Sequence, residues 1–139
     1  SWHTYDIDAL DGTKIEVKSA LYLNARHQKQ LSKIRFNIRK TLEWIPKKNV
    51  FAGEKKRRSD IYVFCLLTQK QESQLNPLNL EQWEFYVIPT AVLDREFDDK
   101  QNITLYQIRK HSQEYKFNQL RDAISRVGLD LALKELVGF

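Results

Sequence analysis

The chain has no methionine, one cysteine, three prolines, four glycines and three histidines among its 139 residues. Each shortage closes a class of explanation. A lone cysteine, Cys65, permits no internal disulfide and no cysteine-rich zinc centre. It lies inside the apolar run Ile61-Tyr62-Val63-Phe64-Cys65-Leu66-Leu67 and reads as core filling. His3, His27 and His111 have no spacing that suits a zinc site or a Ser-His-Asp set. The four glycines form no phosphate-cradling loop. No stretch approaches the roughly 18 consecutive apolar residues of a membrane span, and no leader pattern opens the chain. A reduced, cytoplasmic compartment is therefore expected. With no Met and an opening Ser1-Trp2, residues 1–139 are expected to be one domain cut from a longer protein.

What the chain does have is charge, unevenly placed. The net charge is +5. Residues 14–58 carry 14 Lys or Arg against three acids, Glu16, Glu43 and Glu54. Residues 1–13 carry only the acids Asp6, Asp8 and Asp11. A basic middle beside a small acidic cluster suits a polyanionic partner and a metal-assisted site. The plainer alternative is a solvated basic face.

The acidic cluster lies on a hairpin pattern. Polar and apolar residues alternate from Asp6 to Ala9 and again from Lys14 to Ser19, around Asp11-Gly12. Asp-Gly between strand-like runs is a hairpin signal. A two-residue loop would put each apolar residue on a face with a charge. A three-residue loop, Asp11-Gly12-Thr13, sets Leu10 opposite Lys14, Asp8 opposite Glu16 and Asp6 opposite Lys18. Ile7 then faces Val17 and Ala9 faces Ile15. Burial of the apolar set favours this second register, because a one-residue slip exchanges the faces. Carboxylates crowded in this way are costly unless a cation offsets them, and a divalent metal is the usual remedy. The competing structural reading is an edge hairpin with a cross-strand ion pair, Asp6 with Lys18, contributing a few tenths of a kcal/mol.

Residues 20–33 read as a loop or helix, and Ile34, Phe36 and Ile38 alternate with Arg35, Asn37 and Arg39 as a half-buried strand with a basic face. Residues 40–58, with Pro46, Gly53, Lys47-Lys48 and Arg57-Arg58, read as a long loop or short helix. Ile61–Leu67 is expected to be a central strand buried on both faces. Residues 69–80 read as a loop and Trp83–Ile88 as a strand ended by Pro89. Thr90 is expected to cap a short helix through Phe97. Asn102–Ile108 reads as a last strand or extended segment. Phe117, Leu120, Ile124 and Val127 have helical spacing with Gly128 as a stop, and Leu129–Val137 as a further helix. The fold class is α/β, a mixed α+β sheet flanked by helices.

Asp6, nine intervening residues, then Glu16-Val17-Lys18 resembles the signature of the PD-(D/E)xK nuclease superfamily, which has the restriction-endonuclease-like fold. The leading Pro is absent and Tyr5 stands in its place. The triplet alone is weak, because Glu54-Lys55-Lys56 and Glu114-Tyr115-Lys116 repeat it. Only the first copy lies on an amphipathic strand with acids on the preceding arm. The resemblance implies a metal-dependent nuclease. Asp6, Glu16 and Lys18 would be catalytic. Mg²⁺, or Mn²⁺ as substitute, would be held by Asp6, Glu16 and the Val17 backbone carbonyl, with Asp8 as alternative ligand. Lys18 would either orient or deprotonate the attacking water, or stabilise the phosphate in the transition state. Lys33, Arg35, Arg39, Lys47, Lys48, Lys55, Lys56, Arg57 and Arg58 are expected to contact nucleic acid, double-stranded DNA first. Trp44, Trp83 and Phe51 are candidates for base stacking and, as readily, for the core. No membrane partner is expected, and a homodimer is left open. The alternative is a binding module that keeps the fold without turnover.

Overall fold

A computed structural model describes residues 7–8 and 12–137. Asp6 and Asp11 lie outside the described residues. In chain order the elements are β1 (Ile7–Asp8), β2 (Lys14–Leu21), β3 (Arg35–Asn37), β4 (Thr41–Ile45), β5 (Val50–Lys56), β6 (Ile61–Leu67) and β7 (Trp83–Pro89). There follow α1 (Thr90–Phe97), β8 (Asn102–Thr104), α2 (Leu105–Arg109) and α3 (Phe117–Val137).

The main sheet is mixed, in the order β1-β2-β6-β7. β1 and β7 run antiparallel to their neighbours, while β2 and β6 run parallel over their whole length. A parallel pair needs a long crossover, and residues 22–60 supply it. β6 is the apolar run around Cys65, and every residue of it except Cys65 is buried. Its side chains alternate between two cores, as the pleat requires. Tyr62, Phe64 and Leu66 join Phe36, Ile38, Tyr86, Ile88, Leu93, Phe97, Ile103 and Ile108 on one side. Ile61 and Val63 join Ile15, Phe85, Val87 and Ala123 on the other, under α3. The first core is roofed by β3, β8, α1 and α2, with Phe36 edge-on to Phe64 at 5.1 Å.

The fold is mixed α/β as expected, and several elements depart from the sequence reading. The β1–β2 register pairs Ile7 with Ile15 and Asp8 with Lys14. Asp8 therefore does not lie opposite Glu16; five residues, not three, connect the arms. The shift is two residues, so parity survives and the apolar set stays on one face. Alternation constrains parity, not loop length. Residues 41–56 form a β-hairpin rather than a loop or helix, closed by the single turn Pro46–Lys48 and by Asn49 at φ 52°. A bulge between Thr41 and Glu43 faces Gly53, whose φ of 84° a side chain would strain. The Asn102–Ile108 stretch splits into β8 and α2, because Thr104 and Gln107 form a capping box.

α3 runs through Gly128 without stopping. Leu120, Ile124, Val127 and Leu131 keep an apolar stripe against the sheet across that position. Their packing outweighs the roughly 1 kcal/mol that a mid-helix glycine costs. Thr90 is the first residue of α1 and Pro89 takes the cap position, with no side-chain cap.

Candidate functional site

β2 carries Ile15 and Val17 toward α3, where Ile15 is buried and Val17 packs beside it. Alternation puts Glu16, Lys18 and Ala20 on the opposite face, and Ala20 packs against the core that holds Phe64. Parallel pairing sets Glu16 beside Tyr62 and Lys18 beside Phe64. The Lys18 ammonium lies 3.9 Å from the Glu16 carboxylate. Their side chains keep 32% and 17% of their surface in solvent. The pair thus sits at the rim of an apolar core, more desolvated than surface ions and still reachable. Such surroundings strengthen the interaction of a carboxylate with any cation it meets.

The structure brings together two of the three expected catalytic residues. Glu16 and Lys18 are side by side, and β1 carries Asp8 beside Lys14, two residues ahead of Glu16. Asp6 lies outside the described residues. Among the described residues no three His, Cys, Asp or Glu side chains converge. The Glu16 carboxylate offers oxygen donors, and the Lys18 ammonium beside it is a competing cation rather than a ligand.

The basic residues fall into three groups. Lys33, Arg35 and Arg39 are exposed, and β3 lies over the same face of the sheet as Glu16 and Lys18. Arg39, Lys40 and Lys55 line one small cavity of 280 Å³. Hydrogen bonds to Asp98 and then Asp99 raise the Lys40 pKa and fix it as a cation there. Lys47, Lys48, Lys55 and Lys56 are exposed on the β4–β5 hairpin, with Phe51 63% exposed beside them.

Arg57 and Arg58 are different. The Arg57 side chain is fully buried, donating to the Ile38 carbonyl, to Asp94 at 2.8 Å and to the Lys100 carbonyl at 3.1 Å. Arg58 donates to the carbonyls of Thr41 and Glu54 and braces the hairpin. Both guanidiniums hold the fold together. Gln28 is likewise a loop residue: its amide receives the Asn24 and Ala25 N–H groups and donates to the Tyr22 carbonyl. The Trp83 indole donates to the Pro77 carbonyl at 2.9 Å and packs on the α3 side. Burial pushes the Cys65 thiol up to about 11, which disfavours the thiolate.

Sequence reasoning missed the surroundings of Lys14. The Lys14 N–H donates to the Asp60 carboxylate at 2.9 Å, and the Asp60 N–H donates back to the Lys14 carbonyl at 2.8 Å. The Asp60 carbonyl accepts the Thr90 N–H at 3.0 Å. This knot ties the starts of β2, β6 and α1 beside a cavity of 680 Å³. The polar Arg58-Ser59-Asp60 immediately before an apolar strand was the available signal. No family model, curated protein or solved structure matches the chain.

Proposed function

We propose that the chain is a metal-dependent phosphodiesterase that cuts nucleic acid, with double-stranded DNA as the first substrate to test and a restriction-endonuclease-like architecture. The reading rests on one observation: Glu16 and Lys18 lie 3.9 Å apart on one face of a strand, half-sheltered, beneath a strand that carries exposed Arg35. An ordinary surface ion pair has no need of that shelter.

Glu16 offers hard oxygen ligands, joined by Asp6 or Asp8 from the first arm and by the Val17 carbonyl. A bound Mg²⁺ or Mn²⁺ would supply Lewis acidity and a water of lowered pKa. Lys18 would hold that water in line or neutralise charge on the attacked phosphate. Lys33, Arg35, Arg39, Lys47, Lys48, Lys55 and Lys56 would contact flanking phosphates and set the register of the strand. Arg57 and Arg58 shape the scaffold under them.

The test is cleavage of plasmid DNA with Mg²⁺, with Mn²⁺ and with chelator. Glu16→Gln and Lys18→Ala should each lower the rate by at least about 100-fold, the scale of one positioned acid–base or electrostatic group. Their circular dichroism should match the parent. Wild-type rates in both variants would sink the reading. Salt-sensitive binding with no turnover in any metal would instead identify a binding module.

A further inference from the structure

The β4–β5 hairpin is anchored at its base and open along its length. At the base Arg57 donates to the Ile38 carbonyl, and Arg58 donates to the carbonyls of Thr41 and Glu54. Lys40 pairs there with Asp98 at 2.9 Å and with Asp99 at 3.1 Å. Six of the seven residues of β5 are exposed, and among the described residues no further strand pairs with either arm. A two-stranded hairpin alone is marginal in water. Here two guanidiniums and an ammonium fix one in place while its strands stay in solvent. That is the arrangement of an arm along which a partner lies.

The side chains define the partner. Lys47 and Lys48 at the tip and Lys55 and Lys56 near the base are all exposed. The arm carries two acids against these four lysines, Glu43 and Glu54. Between the lysine pairs lie Val50, 44% exposed, and Phe51, 63% exposed. The seven residues of β5 extend over about 20 Å. A strand from another protein is a poor occupant, because lysines along an edge discourage sheet addition. A lipid surface calls for a wider apolar face than Val50 and Phe51 offer. A blunt duplex satisfies the lysines but not the ring, since its base faces are already covered by their neighbours. An unpaired strand offers both phosphates for the ammoniums and an open base face for the phenyl.

We propose that the β4–β5 hairpin is a binding arm for single-stranded nucleic acid. Phe51 stacks on an unpaired base, and the lysine pairs hold phosphates on either side of it. The arm would then favour substrates with an unpaired segment, such as an overhang or a flap, over a blunt duplex. The proposal rests on the nucleic-acid part of the function proposed above and needs neither the metal nor Glu16.

The experiment uses the whole chain in chelator, so that cleavage does not intervene. Fluorescence anisotropy reads binding to a labelled mixed-sequence oligonucleotide, as a single strand and as a blunt duplex, at one salt concentration. Phe51→Ala should weaken single-strand binding about tenfold, the scale of one lost base–aromatic stack, and change blunt-duplex binding less than twofold. Phe51→Leu keeps an apolar side chain on the hairpin and removes only the ring. It should behave like Phe51→Ala, and it decides the matter if the alanine variant loosens the hairpin. Phe51→Trp should retain the parental preference. Lys55→Ala with Lys56→Ala should weaken both ligands alike. Absence of single-strand binding in the parent, or equal losses on strand and duplex in Phe51→Leu, would overturn the proposal. So would capture of the parent by anionic phospholipid vesicles, lost in Phe51→Leu, with no binding to the strand. Parental single-strand affinity in Phe51→Ala and Phe51→Leu, with plasmid cleavage intact, would remove the arm and leave the cleavage reading standing. Ring-dependent binding by a protein that cuts in no metal would sustain the arm and remove the cleavage reading.

Discussion

A guanidinium with no exposed surface needs acceptors, and Arg57 has three: the carbonyls of Ile38 and Lys100 and the carboxylate of Asp94. They belong to three separate segments, so one side chain pins the end of β3, the start of the α1–β8 loop's far side and α1 itself. Replacing Arg57 with Ala would strand two carbonyls and one carboxylate. Asp94 is half-exposed and recovers some solvation, which lowers the cost from the roughly 3–5 kcal/mol of a broken buried pair to about 2–4. Urea unfolding should read this loss. Arg57→Lys should recover little of it, since an ammonium cannot span the fork. The Arg57 side chain was not legible in the sequence, where it reads as one more cation in a basic run. Its burial is a tertiary fact, created by Ile38 and α1 closing over it. Glu16 and Lys18 were legible for the opposite reason. Their face is set by alternation along eight residues of strand, a local property.

At the scale of elements, the same contrast separates β6 from the β4–β5 hairpin. Seven consecutive strand-forming apolar residues identify β6 without any partner. The hairpin strands are short, lysine-rich and interrupted by Pro46 and Gly53, and what stabilises them is their pairing with each other. Periodicity cannot report that. Its parallel counterpart is the β2–β6 ladder, which joins strands about forty residues apart in sequence and leaves no local trace. The hairpin makes its own prediction. Its tip residues Lys47 and Lys48 are exposed, and no side chain of the core depends on them. Lys47→Ala with Lys48→Ala should leave stability within about 0.5 kcal/mol. If both contact phosphates, the double variant should bind DNA more weakly and flatten the slope of log K against log salt by about 1.8. An unchanged slope would remove the tip from the interface.

The whole molecule is a sheet between two apolar layers, and those layers are not independent. β6 and β7 send alternate residues into each: Phe64 and Tyr86 to the side of α1 and α2, Val63 and Val87 to the side of α3. A backbone shared strand by strand cannot lose one layer and keep the other in register. The functional reading depends on this, because Glu16 and Lys18 ride on one layer while Ile15 and Val17, their neighbours in sequence, are fixed by the other. Phe64→Ala tests the coupling. Phe64 is fully buried, edge-on to Phe36 and stacked with Tyr62 at 5.8 Å. Its truncation should cost about 3–5 kcal/mol. Trp83 lies in the other layer, under α3. With Trp2 and Trp44 changed to Phe, its fluorescence reports that layer alone, while far-UV circular dichroism reports the whole. Coupled layers predict that Phe64→Ala moves both urea transitions to the same lower midpoint. If the Trp83 transition stays at the parental midpoint while the dichroism shifts, the layers unfold separately, and the α3 layer alone cannot be what holds Glu16 and Lys18 in place.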